Sequence, residues 1–117
     1  MFKEALRSIV DQTDGGLAGL LMDSSGIALE TYANDEAFDI NTIGIEFTVV
    51  INQVKRAAEM LEAGAAHEMS VGTDKMITVI RMLNDTYFLA LAIKPGGNLG
   101  KGRYLMRVSA PKFLAEL

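Results

Sequence analysis

The chain has 117 residues, half of them hydrophobic and 22% charged, with a net charge of -4 and no cysteine. A chain of this length supports a single domain, residues 1–117, around one core, and its apolar share is incompatible with disorder. The missing thiols exclude disulfides, thiolate nucleophiles and cysteine-built metal sites, and no apolar run is long enough to span a membrane.

Residues 2–12 carry Phe2, Leu6, Ile9 and Val10 on one side and charge between them, which predicts an amphipathic helix. This N-terminus lacks the apolar core and cleavage site of a signal peptide, so a cytoplasmic location is expected. Asp14, Gly15 and Gly16 stop the helix. Two strand-sized segments, LAGLLMD and GIALETY, follow around a DSSG bend, a hairpin in which Gly26 takes the positive φ.

Residues 39–63 are the longest periodic stretch. Ile40, Ile43, Phe47, Val50, Ile51, Val54, Ala57, Ala58 and Leu61 recur at helical spacing, Asp39 fits an N-cap, and Gly64 fits a C-terminal stop. The β-branched residues Ile43, Ile45, Val49, Val50 and Ile51 favour a strand, but the stretch is far too long for one.

Three more strands are predicted at residues 67–71, 75–83 and 86–94, with links short enough to make them consecutive antiparallel neighbours. Alternation sets Met76, Thr78, Ile80 and Met82 against Ile77, Val79, Arg81 and Leu83, and Tyr87, Leu89, Leu91 and Ile93 against Phe88, Ala90 and Ala92. Apolar residues on both faces call for cover on both sides. Pro95, Gly96 and Gly97 then break the chain, and Asn98 caps a final helix that buries Leu99, Met106, Ala110, Phe113 and Leu117. Pro111 should kink or restart the last turns of that helix.

Chemistry finds little purchase here. His67 is the only histidine, and one histidine among scattered carboxylates offers no metal-ligand spacing. The stretch PGGNLGKG lacks the GxxxxGK[ST] pattern of a phosphate loop, and Gly100 and Gly102 read as close packing against the sheet. Ser24, Ser25, Ser70 and Ser109 have no base placed beside them and no Gly-x-Ser-x-Gly elbow around them. No catalytic site, cofactor or metal is expected. Charge is uneven: residues 1–93 hold six Lys/Arg against fourteen Asp/Glu, whereas Lys94, Lys101, Arg103, Arg107 and Lys112 face only Glu116. That basic end is too narrow a field for nucleic acid and suits a solvated helix face or an acidic partner.

The informative feature is a second stripe on the long helix. At 100° per residue Ile45, Val49 and Met60 lie opposite the sheet-facing stripe, beside Asn52 and Arg56. Apolar surface of that kind points to protein contact. The strand with Glu68, Met69, Ser70 and Val71 begins the meander, is expected at the sheet margin, and has no proline or lysine to block pairing. Two copies joined antiparallel there would extend one sheet and bring their long helices together, so a homodimer satisfies both features.

The whole chain resembles the roadblock/LC7 family, the group of roadblock-type dynein light chains and bacterial MglB-like regulators. The matching segments are GLAGLLMDSSGIALE at the first hairpin, the helix at 39–63, the meander VGTDKMITVIRMLNDTYFLALAI, and NLGKGRYLMR at the opening of the last helix; Pro111 departs from the pattern. The resemblance implies an α/β, profilin-like αββαβββα fold. Its five-stranded antiparallel sheet would run 2-1-5-4-3, with the long helix on one face and the terminal helices on the other. It also implies a homodimer formed through the third strand and long helix, here Glu68, Met69, Ser70, Val71, Ile45, Val49, Asn52, Arg56 and Met60. Finally it implies a Ras-like small GTPase as partner, regulated without a catalytic site of the chain's own. On that resemblance Arg56 can be read as an arginine finger supplied in trans, against which stand the commonness of interface arginines and the absence of such a finger from MglB-like activators. The alternatives are an adaptor of the dynein-light-chain kind, separated by GTPase turnover, and a small-molecule sensor, separated by an enclosed cavity.

Overall fold

The computed structural model describes residues 1–35 and 38–117. Its elements run α1 (Phe2–Gln12), β1 (Gly16–Asp23), β2 (Ala28–Ala33), α2 (Ile40–Met60), β3 (Glu68–Gly72), β4 (Ile77–Met82), β5 (Tyr87–Ile93) and α3 (Leu99–Leu114). The five strands form one antiparallel sheet in the order β2-β1-β5-β4-β3. This is the element order and sheet order that the resemblance implied.

Local chemistry fixes the turns. The Asp23 carboxylate accepts from the backbone N–H groups of Ser25 and Ile27, and Gly26 sits at φ 89°, where a side chain would be strained. The Asn84 side chain accepts from Thr86 and Tyr87 and tightens the β4–β5 turn in the same way. Asp39 caps α2 by accepting from the Thr42 backbone at 3.1 Å, and Asn98 caps α3 by accepting from Lys101 at 3.0 Å.

The period-2 strands divide the interior into two layers. Leu6, Ile9 and Val10 of α1 and Met106, Ala110 and Phe113 of α3 pack on Leu21, Val79, Leu89, Leu91 and Ile93. On the opposite face, Ile40 and Ile51 of α2 pack on Leu20, Met22, Ile80, Phe88 and Ala90. The long helix therefore covers one face and the terminal helices the other.

Several local expectations are corrected. The long helix ends at Met60 rather than at residue 63, because Glu62 already takes a left-handed φ of 52° before Gly64 does. Val50, Ala57 and Leu61 do not reach the sheet; Leu61 is 76% exposed. Leu117 lies beyond α3 and is exposed. Gly102 packs on Leu91, but Gly100 meets only the Asn98 side chain. Pro111 neither ends nor restarts α3, which continues as one helix to Leu114. Strand ends move by one or two residues from their expected positions.

A candidate protein interface on the long helix and the sheet margin

Gly44 sets how α2 lies on the sheet. A Cβ there would fall 2.2 Å from Leu20 Cδ2 and 2.9 Å from Met22 Cε, so the helix approaches β1 closely at this point because it carries no side chain. The helix is tied again further along, where Lys55 Nζ donates to the Asp85 carbonyl at 2.8 Å. With Gly44, Ile51 and Ile40 turned inward, the opposite surface faces outward. Ile45 is 44%, Val49 63% and Met60 77% exposed, and Asn52 and Arg56 are exposed between them.

The strand residues occupy the sheet margin. Among the described residues β3 pairs only with β4, Glu68 facing Arg81 and Ser70 facing Val79. The Met82 N–H donates to the His67 carbonyl, and the Thr73 N–H to the Met76 carbonyl. Antiparallel alternation then turns the backbone groups of Met69 and Val71 toward β4 and those of Glu68, Ser70 and Gly72 toward the open edge. The side chains split the other way. Met69 packs with the α2-side core, while Glu68 turns to the α3 side.

Glu68 has a partner that no local pattern announces. Arg103 of α3 donates to both of its oxygens, at 2.6 and 3.1 Å, and Arg81 stands at 4.0 Å. The Arg103 hydrogen bond, joined by the charges of Arg103, Arg81 and Arg107, holds the Glu68 carboxyl below its ordinary range against the opposing effect of burial. The side chain of Glu68 thus braces β3 against α3, and its backbone is what faces the edge.

Sequence reasoning missed further exposed apolar residues near this surface. Val50 on the flank of α2 and Leu61 at its C-cap are exposed, and Ile27 stands exposed in the β1–β2 turn, where a Cβ on Gly26 would lie 3.9 Å from Ile45 and 4.0 Å from Thr48. It also missed an open cleft of about 670 Å³ between the end of α2 and the strand ends, lined by Lys55, Ala58, Glu59, His67, Met82 and Asp85. His67 is an exposed wall of that cleft. Among the described residues, no helix is long and apolar enough to cross a membrane.

A five-stranded antiparallel sheet ordered 2-1-5-4-3, one long helix on one face and the two terminal helices on the other, defines a roadblock-type domain of the profilin-like class. No family model matches the chain, and no curated protein matches it. Among solved structures, MglC from Myxococcus xanthus is 42% identical over 97% of this chain and 97% of that one, with a TM-score of 0.71. The chain belongs to the roadblock/LC7 family. A Roadblock/LC7 domain from Streptomyces avermitilis matches with a TM-score of 0.87 at 10% identity, covering 97% of this chain and 95% of that one. MglB from Myxococcus xanthus matches with a TM-score of 0.83 at 11% identity, covering 98% and 95%. At those identities the last two show the fold alone.

Proposed function

We propose that the chain is a regulatory module that acts as a homodimer on a Ras-like small GTPase. The observation that carries this is the pairing of two unsatisfied surfaces: the exposed apolar stripe of α2 and the open edge of β3. Antiparallel joining of two β3 strands about Ser70 uses the outward groups of Glu68, Ser70 and Gly72 at once. It sets the two α2 helices together, with Ile45, Val49, Asn52, Arg56 and Met60 in or beside the interface. Self-association has support from a relative: one structure with the same fold is described as MglB with tetrameric arrangement. The GTPase follows from the family resemblance, and the paired helices are the surface offered to it.

The test is GTP hydrolysis by a candidate small GTPase from the same genome, across a range of concentrations of this protein. Stimulation saturating at two chains per GTPase is the expected result. A complex without stimulation would replace regulation by the adaptor reading. A chain that stays monomeric at micromolar concentration would overturn the dimer.

A further inference from the structure

On the other side of the sheet, α3 carries Lys101, Arg103, Arg107 and Lys112 and no carboxylate between Leu99 and Leu114. All four cations are exposed. Of these four, Arg103 alone has an ion-pair partner among the described residues, and that partner, Glu68, is shared with Arg81. Arg81 is itself incompletely satisfied, since its Nε is buried with no hydrogen-bond acceptor. One carboxylate therefore answers a group of guanidinium ions that outnumbers it. Along the same helix face stand Tyr104, 51% exposed, and Val108, 43% exposed, and Arg107 lies over the Tyr104 ring at 5.5 Å.

We propose that the outer face of α3 is a docking surface for an acidic segment of a partner protein, with an apolar residue of that segment seated on Tyr104 and Val108. Arg107, which has no ion-pair partner among the described residues, suits a carboxylate because the guanidinium fork binds one through two parallel hydrogen bonds, and Lys101 and Lys112 add positive charge along the same helix. The width of the surface selects a chain rather than a plane. From Lys101 to Lys112 the helix rises about 16 Å, the length of about five extended residues. The neighbouring helix α1 balances Lys3 and Arg7 with Glu4 and Asp11, so the cationic strip is one helix wide. A bilayer or a nucleic-acid duplex would extend beyond this strip onto α1, whose charges balance, whereas a single acidic segment needs only the strip itself. This surface lies on the sheet face opposite α2, so it is independent of the GTPase reading.

The experiment uses fluorescein-labelled peptides of about ten residues, rich in glutamate and aspartate, with one phenylalanine or leucine at varied position. Binding is followed by fluorescence polarisation to the full chain. The expected result is salt-sensitive binding that weakens about tenfold or more in the double variant Arg107→Glu/Lys112→Glu. The milder Lys101→Ala/Lys112→Ala should weaken it less, and Arg56→Glu on α2 should leave it unchanged. All variants are exposed and are checked for native circular dichroism; if the reversed pair fails to fold, the alanine pair decides. Equal binding by the α3 variants overturns the proposal. So does loss confined to Arg56→Glu, or binding to phosphatidylserine vesicles or to duplex DNA with none to any peptide.

Discussion

Arg103 on α3 grips Glu68 on β3 from 35 residues away, its Nε donating to Oε1 at 2.6 Å and a terminal nitrogen donating to Oε2 at 3.1 Å. The pair fastens the marginal strand to a helix that otherwise packs on β4 and β5 through Met106, Ala110 and Phe113. It leaves the strand's outer backbone groups open and adds one side-chain tie to the β3–β4 ladder that holds the strand.

The pH dependence of stability follows from that pair. The Glu68 carboxyl is lowered from 4.5 in the folded chain, first by the Arg103 hydrogen bond. A group with a lowered folded-state pKa binds its proton more readily when unfolded, so it contributes stability above about pH 4.5, which is lost as pH falls through the folded value. Urea midpoints at neutral and acidic pH, compared between the native chain and Glu68→Gln, should show the native advantage shrinking on acidification. Parallel decline in both proteins would remove Glu68 from the account.

Two glycines separate backbone crowding from side-chain crowding. A Cβ at Gly16 would lie 2.3 Å from the Val10 carbonyl oxygen and 3.0 Å from that of Thr13, and the helix end cannot yield. At Gly44 the nearest atoms are the tips of Leu20 and Met22, which can turn, and alanine regains about 1 kcal/mol of helix propensity. Gly16→Ala should therefore cost about 1–3 kcal/mol or more in chemical denaturation. Gly44→Ala should cost less, and Gly44→Val more than Gly44→Ala. The reverse order of the two alanine variants would contradict the close-approach argument.

Much of this architecture is legible in the sequence because it depends on neighbours. Asp39, Asn98 and Gly26 act within four residues, and strand alternation sorted Leu89, Leu91 and Ile93 from Phe88, Ala90 and Ala92 without reference to anything distant. What escaped depends on partners far along the chain. Gly44 in a helix is only a missing side chain until Leu20 and Met22 lie beneath it, and Glu68 is an ordinary surface acid until α3 brings Arg103 to it. Val50 and Leu61 fit the helical period, yet a sheet touches a narrower arc of the helix than that period fills. Of the candidate interface, the exposure of Ile45, Val49 and Met60 was readable from phase alone, and the exposure of Val50, Leu61 and Ile27 nearby was not.

Phe113 and Leu117 test the end of α3. Phe113 is 1% exposed and stacks on Phe2 with ring centroids 5.8 Å apart, so Phe113→Ala should cost about 3–5 kcal/mol. Leu117 lies past the helix and is exposed, so Leu117→Ala should change stability by no more than about 0.5 kcal/mol. Thermal or urea unfolding of both variants checks this, and a large effect at Leu117 would mean that the tail packs on the body after all.

Ser70→Pro offers a clean test of the open edge, because the two sides of β3 do different work. The Ser70 N–H points away from β4, so a proline there removes no bond of the β3–β4 ladder; it removes a donor at the free margin and places a ring in the path of any added strand. Met69→Pro would instead delete a ladder bond to Ile80 and should destabilise the fold by about 3 kcal/mol or more. If two copies join along this edge, Ser70→Pro should keep native circular dichroism and near-native unfolding while sedimentation shifts from dimer to monomer. Val49→Glu should weaken the same dimer about tenfold or more through the α2 contact. A Ser70→Pro chain that remains fully dimeric would move the interface off β3 and leave the α2 stripe to hold the dimer alone.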